Sequence, residues 1–324
     1  MNILVSPLDW GLGHATRVTS VIRQRLAEGH RVIIAGSGAS LDLLSLEFPQ
    51  LTTVQLPSFS PRFSKYAHQV QALAVQIPAF LRSIHDEYLA TRRIVEEHAI
   101  DEIISDNRYG VRSERCKSVI ITHQLRPRIS SLCPRPVEQM LAATLGQMLQ
   151  KFDECHIPDI APYPDGLAGE LAKPLGTKLN IKYIGLMSRL PHDNLEHIPG
   201  VDTLCIVSGP EPQRSIFEQR LTEHFAGRPG RCVIVQGKPG RSEVREVGNI
   251  RLVPHCDAHT LASLISSAGI IVCRSGYSSV MDLYSLGKRA VLVPTPGQPE
   301  QEYLASHLVN FGFSYVTQKK ISTL

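Results

Sequence analysis

Several features that would assign the chain to a particular class are missing from its 324 residues. No apolar run approaches the length of a membrane-spanning helix. No Asp-x-Asp pair is present to hold a divalent metal, and the seven cysteines are scattered without a C-x-x-C motif, as free thiols in a reducing compartment are. The net charge of +4 is too small for a nucleic-acid-binding chain. We therefore expect no nucleic-acid partner, no metal and no cofactor.

The composition that is present is typical of a globular enzyme, with 43% apolar and 20% charged residues. The chain is long enough for two domains, each with its own core. Its N-terminus enters an apolar run (NILVS) without a preceding basic region, so we do not expect a signal peptide. A cytoplasmic protein is expected, and peripheral contact with the inner face of the membrane stays open.

A phosphate-binding turn is predicted in the last quarter of the chain. The apolar run Ile270 to Cys273 indicates a strand, and after a Gly-containing turn the apolar residues recur at helical spacing. Glycine lets the backbone approach a ligand, and the free N–H groups at the start of a helix favour an anion. The residues expected to contact the phosphates are Arg274, Ser275, Gly276, Ser278 and Ser279.

The predicted helix also carries a carboxylate suited to a ribose. Asp282 lies one turn into the helix, where its two oxygens can accept from neighbouring hydroxyls. The next apolar run closes with Pro294, and a loop rich in Gly, Pro and Gln follows. A phosphate turn, a ribose-binding carboxylate and a polyol-binding loop together indicate a nucleotide-sugar site.

The stretch from Ile270 to Tyr303 resembles the donor-binding motif of the family-28 type glycosyltransferases, the group that includes the peptidoglycan N-acetylglucosaminyltransferase. The resemblance is strong over roughly the last third of the chain. It implies a metal-independent hexosyltransferase whose loop contacts the donor sugar through Gln298, Gln301 and Glu302. The peptidoglycan enzyme has Glu where this chain has Asp282, and its loop is His-rich with a Gln-Gln pair where this chain has Gly297 and Gln301-Glu302. The identity of the donor sugar therefore stays open.

Strand and helix patterns alternate along both halves of the chain, which predicts an α/β fold with parallel sheets and ligands at the carboxyl ends of the strands. Together with the resemblance, this indicates the GT-B architecture: two Rossmann-like parallel-sheet domains facing a central cleft. We expect an N-terminal acceptor domain in residues 1–157, a Pro- and Gly-rich linker in residues 158–180, and a C-terminal donor-binding domain in residues 181–324.

Two further segments of the second half correspond to donor contacts in the family. Ser208-Gly209-Pro210 ends a predicted strand and matches the family's other phosphate loop, and Arg214 follows on a helix. Arg214 is expected to neutralise the leaving diphosphate. His255 lies in the loop that encloses the nucleobase in relatives.

The first half contains the candidate base. His14 follows the turn formed by Gly11 and Gly13, at the end of the first predicted strand. An imidazole with an ordinary pKa near 6.5 suits proton abstraction at neutral pH. We expect Asp106, at a neighbouring strand end, to orient its other nitrogen. Asp9 on the same loop is the rival base, and contact of His14 with phosphate is the alternative role.

Two other features of the first half bear on its ligands. The turn before His14 lacks the third glycine of a dinucleotide fingerprint, which has Thr16 in its place, so a nicotinamide cofactor is disfavoured. The aromatic and basic loop from Pro57 to His68 and the basic segment from Arg108 to Arg135 suit an acceptor cleft or an anionic surface, but also ordinary packing or a solvated face.

The leading hypothesis is an inverting glycosyltransferase that transfers a sugar from a nucleotide-sugar, a UDP-sugar in particular, to a sugar, lipid-linked or small-molecule acceptor. The alternatives are a UDP-sugar 2-epimerase and a catalytically silent nucleotide-sugar-binding subunit. The sequence predicts no oligomeric state.

Overall fold

The computed structural model describes residues 1–59, 76–128, 135–176, 178–238 and 241–323. These residues form two compact units that divide after Met187. We call residues up to Met187 unit 1 and residues from Ser188 unit 2. Among the described residues, no helix has both the length and the apolar character needed to cross a bilayer.

Unit 1 is built on a seven-stranded sheet. Its strands are β1 (Asn2–Pro7), β2 (Arg31–Gly36), β3 (Thr52–Gln55), β4 (Glu102–Asp106), β5 (Lys117–Ile121), β6 (Glu154–Ile157) and β7 (Ile181–Tyr183). Neighbouring strands are parallel, in the order β3-β2-β1-β4-β5-β6-β7. The central strands are buried along almost their whole length, as parallel strands covered on both faces are.

The described helices of unit 1 are α1 (Leu12–Ala27), α2 (Gly38–Glu47), α3 (Ile77–His98) and α4 (Arg135–Leu149). The apolar residues of α1 recur at helical spacing and are buried against the sheet. Residues 60–75, which precede α3, lie outside the described part of the chain. Most of the aromatic and basic loop from Pro57 to His68 also lies outside it.

The predicted linker, residues 158–180, is packed into unit 1. The buried carboxylate of Asp159 accepts hydrogen bonds from the backbone N–H groups of Leu167 and Ala168 at 2.7 and 2.9 Å. Strand β7 then pairs with β6, so it belongs to the first sheet and not to the second domain where the sequence prediction placed it. The many prolines and glycines of this segment build a compact loop, and the boundary between the units falls after it.

Unit 2 contains a second seven-stranded sheet. Its strands are β8 (Thr203–Ile206), β9 (Cys232–Val235), β10 (Arg245–Val247), β11 (Ile250–Val253), β12 (Ile270–Cys273), β13 (Val291–Leu292) and β14 (Ser314–Tyr315). The order is β10-β11-β9-β8-β12-β13-β14, with β10 antiparallel to β11 and the other pairs parallel. Its helices are α5 (Gln213–Phe225), α6 (Ala258–Ser267), α7 (Tyr277–Ser285) and α8 (Pro299–His307).

The core of unit 2 fixes α5 on its sheet. Phe217 and Leu221 of α5 are fully buried in one cluster with side chains of β8, β9 and β12. Burial of each such side chain stabilises the fold by about 1.5–3 kcal/mol. The start of α5 is thereby held beside the end of β8.

Both sheets have a point at which the strand order reverses. In unit 1 the chain leaves the centre in opposite directions from β1 and β4, and in unit 2 from β8 and β12. In open parallel sheets, ligands bind outside the carboxyl ends of the strands at such a point. The loops that follow these four strands are therefore the places to look for function.

The basic segment from Arg108 to Arg135 is largely compensated where it is described. Its cations contact acidic or aromatic side chains: Arg108 with Glu87 at 2.9 Å, Arg112 over the ring of Tyr88 at 4.5 Å, Arg115 with Glu96 at 2.5 Å, and Lys117 with Glu102 at 3.2 Å. Residues 129–134 lie outside the described chain. These four cations are therefore engaged within unit 1, and Arg126 donates to the carbonyl of Pro174 at 3.1 Å.

Candidate functional site

The turns after β8 and β12 leave space at the point where the strand order of unit 2 reverses. Gly209 has a φ of 101°, a backbone conformation that side chains rarely adopt, and a Cβ placed on Gly209 or Gly276 would meet no atom within 4 Å. A bound group can therefore approach the backbone at both turns.

Helix α7 begins directly after the second turn. Its N-cap residue is Gly276, which has no side chain to accept from the first backbone N–H groups. Ser278 and Ser279 lie half-buried in the first turn of the helix. The combination of an N-cap without a side chain, two hydroxyls and the positive end of the helix dipole suits a phosphate.

The buried side chains of Arg274 and Ser275 stabilise this turn. Arg274 is 1% exposed, donates to the carbonyl oxygens of Val293 and Gln213 at 3.1 Å, and lies 4.0 Å from the ring centroid of Phe217. Burial lowers the pKa of Arg274 to about 9. Because its guanidinium is buried and bonded to the backbone, Arg274 supports the turn from within unit 2.

The polyol loop is stabilised by the residues predicted to bind the donor sugar. The Gln301 side chain accepts from the N–H of Thr295 at 2.9 Å, and its carbonyl accepts from the hydroxyl of Ser275 at 2.8 Å. Glu302 accepts from the N–H of Gly297 at 2.9 Å. Gln301 is buried, so it positions the loop, and half-buried Gln298 at the start of α8 is the more accessible of the two glutamines.

Asp282 is half-buried on α7 and accepts from the hydroxyl of Ser188 at 2.6 Å. Burial raises the pKa of Asp282 to about 6, and the hydrogen bond from Ser188 and the charge of Arg189 act in the opposite direction. The same charge, together with partial desolvation, lowers the pKa of His255. Ser188 and Arg189 therefore lie in the neighbourhood of the predicted nucleoside site.

A basic cavity of about 300 Å³ adjoins the turn after β8. It is lined by Arg214, Gly237, Lys238 and Arg241. A Cβ on Gly237 would lie 2.6 Å from the carbonyl oxygen of Val207, so this glycine permits the close approach of the two loops. Arg214 donates to the carbonyl of Gln236 at 3.0 Å and pairs with Glu211.

The cavity keeps a positive balance despite its acidic neighbour Glu218. Lys238 contacts Glu218 at 2.7 Å, and Arg214 lies 4.0 Å from the same carboxylate. Arg241 is exposed at the rim. Three cations beside two carboxylates, Glu218 and Glu211, leave a net positive charge that suits an anionic group such as a diphosphate.

The reversal point of unit 1 brings His14 and Asp106 together. Nδ1 of His14 lies 3.3 Å from Oδ1 of Asp106, and the His14 side chain is 22% exposed while that of Asp106 is fully buried. Burial alone would raise the pKa of Asp106, but the charges of Arg17 and His14 and their hydrogen bonds hold it at about 2. The carboxylate is therefore ionised beside the imidazole.

Asp9, the rival base, faces another element. Its carboxylate accepts from the N–H of Ser40 at 3.2 Å and abuts Gly38 at the start of α2, where φ is +52°. Asp9 thus caps a helix, as acidic residues at helix N-termini do. Gly11 adopts a φ of 143° in the turn before His14, and Gly13 follows in the first turn of α1.

Sequence reasoning missed several residues of these two sites. They are Arg17 in unit 1, and Ser188, Arg189, Lys238 and Arg241 in unit 2. Arg17 had a detectable signal, because it is three residues after His14 and shares its helix face. The others lie in loops whose course no periodic pattern reveals.

No metal centre is found in the described chain, since no group of three or more His, Cys, Asp or Glu side chains converges there.

Residues 238–323 match the glycosyltransferase family 28 C-terminal domain. The chain is 45% identical over 56 residues to the UDP-N-acetylglucosamine--N-acetylmuramyl-(pentapeptide) pyrophosphoryl-undecaprenol N-acetylglucosamine transferase of Elusimicrobium minutum. These 56 residues are 17% of this chain and 15% of the relative. An enzyme of the same name from Sulfurihydrogenibium sp. is 25% identical over 120 residues, which cover 36% of this chain and 34% of the relative. The matched segments thus span about a third or less of these relatives.

Solved structures match over nearly the whole chain. The glycotransferase of kitacinnamycin aligns with a TM-score of 0.66 and 17% identity, covering 99% of this chain and 87% of that one. The spinosyn rhamnosyltransferase SpnG complexed with thymidine diphosphate aligns with a TM-score of 0.64 and 15% identity, covering 100% and 90%. The chain has the GT-B fold, and its residues 238–323 resemble the C-terminal domain of glycosyltransferase family 28.

Proposed function

We propose that this protein is an inverting glycosyltransferase that binds a nucleotide-sugar in unit 2 and uses His14 of unit 1 as the base for an acceptor hydroxyl. The observation that carries the proposal is the arrangement at the reversal point of unit 2. An open glycine turn, an uncapped helix and a half-buried carboxylate follow one another within the segment that resembles family 28.

The nucleoside is assigned to the surroundings of Asp282. Its carboxylate accepts hydrogen bonds from the ribose hydroxyls, which replace or supplement the hydrogen bond from Ser188. Ser278 and Ser279 at the start of α7 meet the phosphates. The loop from Gly297 to Glu302 takes the sugar, with Gln298 as its most accessible polar contact.

Cationic side chains of the protein are proposed to stabilise the negative charge of the leaving diphosphate. Arg214, Lys238 and Arg241 line one cavity beside the turn at Gly209, and Arg189 lies near Asp282. As the bond to the sugar breaks, negative charge grows on the diphosphate, and fixed cations stabilise it without reorganisation. This is the reason to propose turnover without a divalent metal.

The acceptor hydroxyl attacks the anomeric carbon from the face opposite the diphosphate. A carbon–oxygen bond to the acceptor forms as the bond to the diphosphate breaks, the diphosphate leaves with the electron pair, and the anomeric configuration inverts. The hydroxyl proton passes to Nε2 of His14, provided that Nδ1 carries its proton toward Asp106. General-base assistance of this kind contributes a factor of about 10²–10⁴ in rate.

Two nucleobases are the leading candidates for the donor. The curated relatives are named for a uridine nucleotide-sugar, whereas one aligned structure contains thymidine diphosphate. We favour uridine because the higher local identity lies with the uridine relatives. The acceptor is a hydroxyl of a sugar, a lipid-linked molecule or a small aglycone.

The test is a thermal-shift and calorimetric screen with UDP, dTDP and GDP, followed by turnover of the matching sugar nucleotides. A ligand at 100 times its Kd should stabilise the protein by about 2.7 kcal/mol. No shift with any of the three diphosphates would remove the donor assignment. Binding without release of nucleotide in the presence of any acceptor would instead favour the silent binding subunit.

A further inference from the structure

Arg17 lies one helical turn after His14 on α1, at the reversal point of unit 1. Its side chain is 2% exposed and that of Asp106 is fully buried. Arginine is rarely buried so completely unless it is paired. The burial therefore ties Arg17 to the carboxylate beside the proposed base, and not to the surface of the helix.

The guanidinium of Arg17 engages both oxygens of Asp106. Nε donates to Oδ2 at 2.6 Å, and Nη2 donates to Oδ1 over a short distance. A planar fork that holds both carboxylate oxygens fixes the orientation of the carboxylate as well as its charge. Oδ1 is the same oxygen that lies 3.3 Å from Nδ1 of His14.

Arg17 also reaches His14 directly. Its Nη2 lies 3.1 Å from Nδ1 of the imidazole; when Nδ1 carries its proton toward Asp106 both nitrogens are donors, so this contact is electrostatic and not a hydrogen bond. A protonated His14 would therefore lie beside the guanidinium of Arg17, and the two cations would repel each other. The negative charge of Asp106 is already partly neutralised by Arg17. The cation opposes proton uptake by His14 while the carboxylate favours it.

We propose that Arg17 is a positioning residue of the reaction, which holds Asp106 against Nδ1 of His14 and whose charge opposes proton uptake by the ring. This inference rests on the proposed function of His14 as the base. This role explains why a buried arginine lies beside His14 and Asp106, although Asp106 alone could orient the imidazole.

The charged groups near His14 come from two elements among the described residues. Arg17 belongs to α1, and Asp106 ends β4. Tyr109, after β4, is kept neutral because burial raises its pKa, and the charges of Cys155 and Asp106 act in the same direction. Asp9, after β1, is bonded to Ser40 of α2 and not to His14. The opposed effects of Arg17 and Asp106 are thus the ones to separate experimentally.

The experiment compares Arg17→Gln and Arg17→Lys with the wild type by two measurements. The first is the titration of the His14 ring in protein labelled with ¹⁵N-histidine, with the His14 signals identified from their loss in His14→Gln. The second is the pH profile of kcat/KM with the donor found in the nucleotide screen. Arg23→Gln is the matched control, because Arg23 lies on the same helix but pairs with Glu47 at the surface.

In Arg17→Gln we expect the His14 ring to take up its proton at a pH higher by about half a unit or more, since a neighbouring cation is lost. The acid limb of kcat/KM should move in the same direction, and kcat should fall about 10- to 100-fold with KM for the donor unchanged. Arg17→Lys should keep the wild-type titration because it keeps the charge. Its kcat should still be reduced, because an ammonium cannot hold both carboxylate oxygens.

If Arg17→Gln does not fold, Asp106→Asn is compared with the double variant Arg17→Gln/Asp106→Asn, in which loss of the same cation should again raise the titration midpoint. A folded variant whose midpoint agrees with that of the wild type would overturn the inference and leave Arg17 a purely structural residue. The titration needs no substrate. It therefore decides the role of Arg17 even if no donor turns over, an outcome that would contradict only the proposed function.

Discussion

The hydroxyl of Ser188 donates a 2.6 Å hydrogen bond to Asp282, and the backbone N–H of Leu190 donates to the same Ser188 oxygen at 3.1 Å. The N–H of Leu190 thereby helps to orient the hydroxyl toward the carboxylate. Burial outweighs this hydrogen bond, the charge of Arg189 and a hydrogen bond from the Arg189 backbone, and the pKa of Asp282 is raised to about 6. The unliganded protein therefore holds a carboxylate that additional donors, such as ribose hydroxyls, would stabilise.

We expect Asp282→Asn to stabilise the unliganded protein at pH 7. Because the pKa is higher in the folded protein than its ordinary value of 3.8, the carboxylate costs no stability below pH 3.8 and its full cost applies above about pH 6. At 1.36 kcal/mol per pH unit the gain is at most about 3 kcal/mol. Asn keeps an oxygen for Ser188. Urea unfolding at pH 4 and pH 7 measures the difference in the free energy of unfolding between the variant and the wild type. An equal difference at the two pH values would show that the carboxylate of Asp282 does not have a raised pKa.

Nucleotide affinity should fall as the pH is lowered through about 6. The ionised form of Asp282 accepts two hydroxyls, whereas the protonated acid presents one strong acceptor fewer. Calorimetry with UDP between pH 5 and 8 should show this loss in the wild type and a flatter profile in Asp282→Asn, whose affinity should be lower by about 1.5–3 kcal/mol at pH 8. Parallel profiles in the two proteins would assign the pH dependence to another group.

Two arginines of unit 2 should respond in opposite ways to substitution. Arg274 is buried and donates to backbone carbonyls of two segments, one after β13 and one at the start of α5, so Arg274→Met should destabilise the fold by about 1–3 kcal/mol for each carbonyl left without its donor. Arg241 is exposed at the rim of the basic cavity. Arg241→Gln should leave the unfolding midpoint within about 0.5 kcal/mol of the wild type but weaken diphosphate binding. Denaturant unfolding and calorimetry with the diphosphate on both variants test this difference. An Arg274→Met variant with wild-type stability and weaker diphosphate binding would contradict it.

Part of the architecture could be predicted from the sequence because parallel strands buried on both faces produce short apolar runs. The run Ile270–Cys273 predicted the strand β12, and the turn after it is the one predicted to bind a phosphate. The edge strand β7 was assigned to the wrong half. Its three residues carry no periodic signal, and only pairing with β6 identifies the sheet to which it belongs.

The site was predictable where chemistry depends on residue type and less so where it depends on the direction of a side chain. His14 and Asp106 were expected to be neighbours, and their nitrogen and oxygen atoms lie 3.3 Å apart. Arg274 and Gln301 were expected to contact the donor, but they are buried and bonded to the protein backbone. Sequence alone does not distinguish an arginine that binds a phosphate from one that supports the phosphate-binding turn.

Turnover should not require a divalent metal. The proposed diphosphate site contains Arg214, Lys238 and Arg241, whose fixed charges perform the role that a cation would otherwise have. Activity after dialysis against EDTA should equal that before it, and Mg²⁺ or Mn²⁺ should raise it less than twofold. Abolition by EDTA with recovery in either metal would contradict the proposal. Lys238→Gln/Arg241→Gln should lower kcat in the same assay, since the leaving group loses part of its stabilisation.

The replacement of His14 separates an enzyme from a binding protein. If Nε2 takes the acceptor proton, His14→Gln should lower kcat by about two to four decades. Nucleotide affinity should be nearly unchanged, because the donor is assigned to unit 2. A role in phosphate contact would produce the opposite pattern, with weaker donor binding and a smaller effect on kcat at saturating donor. Stopped-flow kinetics and calorimetry on one preparation distinguish the two.

Asp9→Asn is the control for this substitution, because Asn can still accept from the N–H of Ser40 and preserve the start of α2. We expect it to keep most of the activity. Loss of activity in Asp9→Asn together with its retention in His14→Gln would transfer the base assignment to the carboxylate. If neither substitution affects turnover, no base acts at this turn. A transfer that needs the proton of the acceptor hydroxyl removed would then have to occur elsewhere, and the nucleotide site of unit 2 would be better explained as that of a binding subunit.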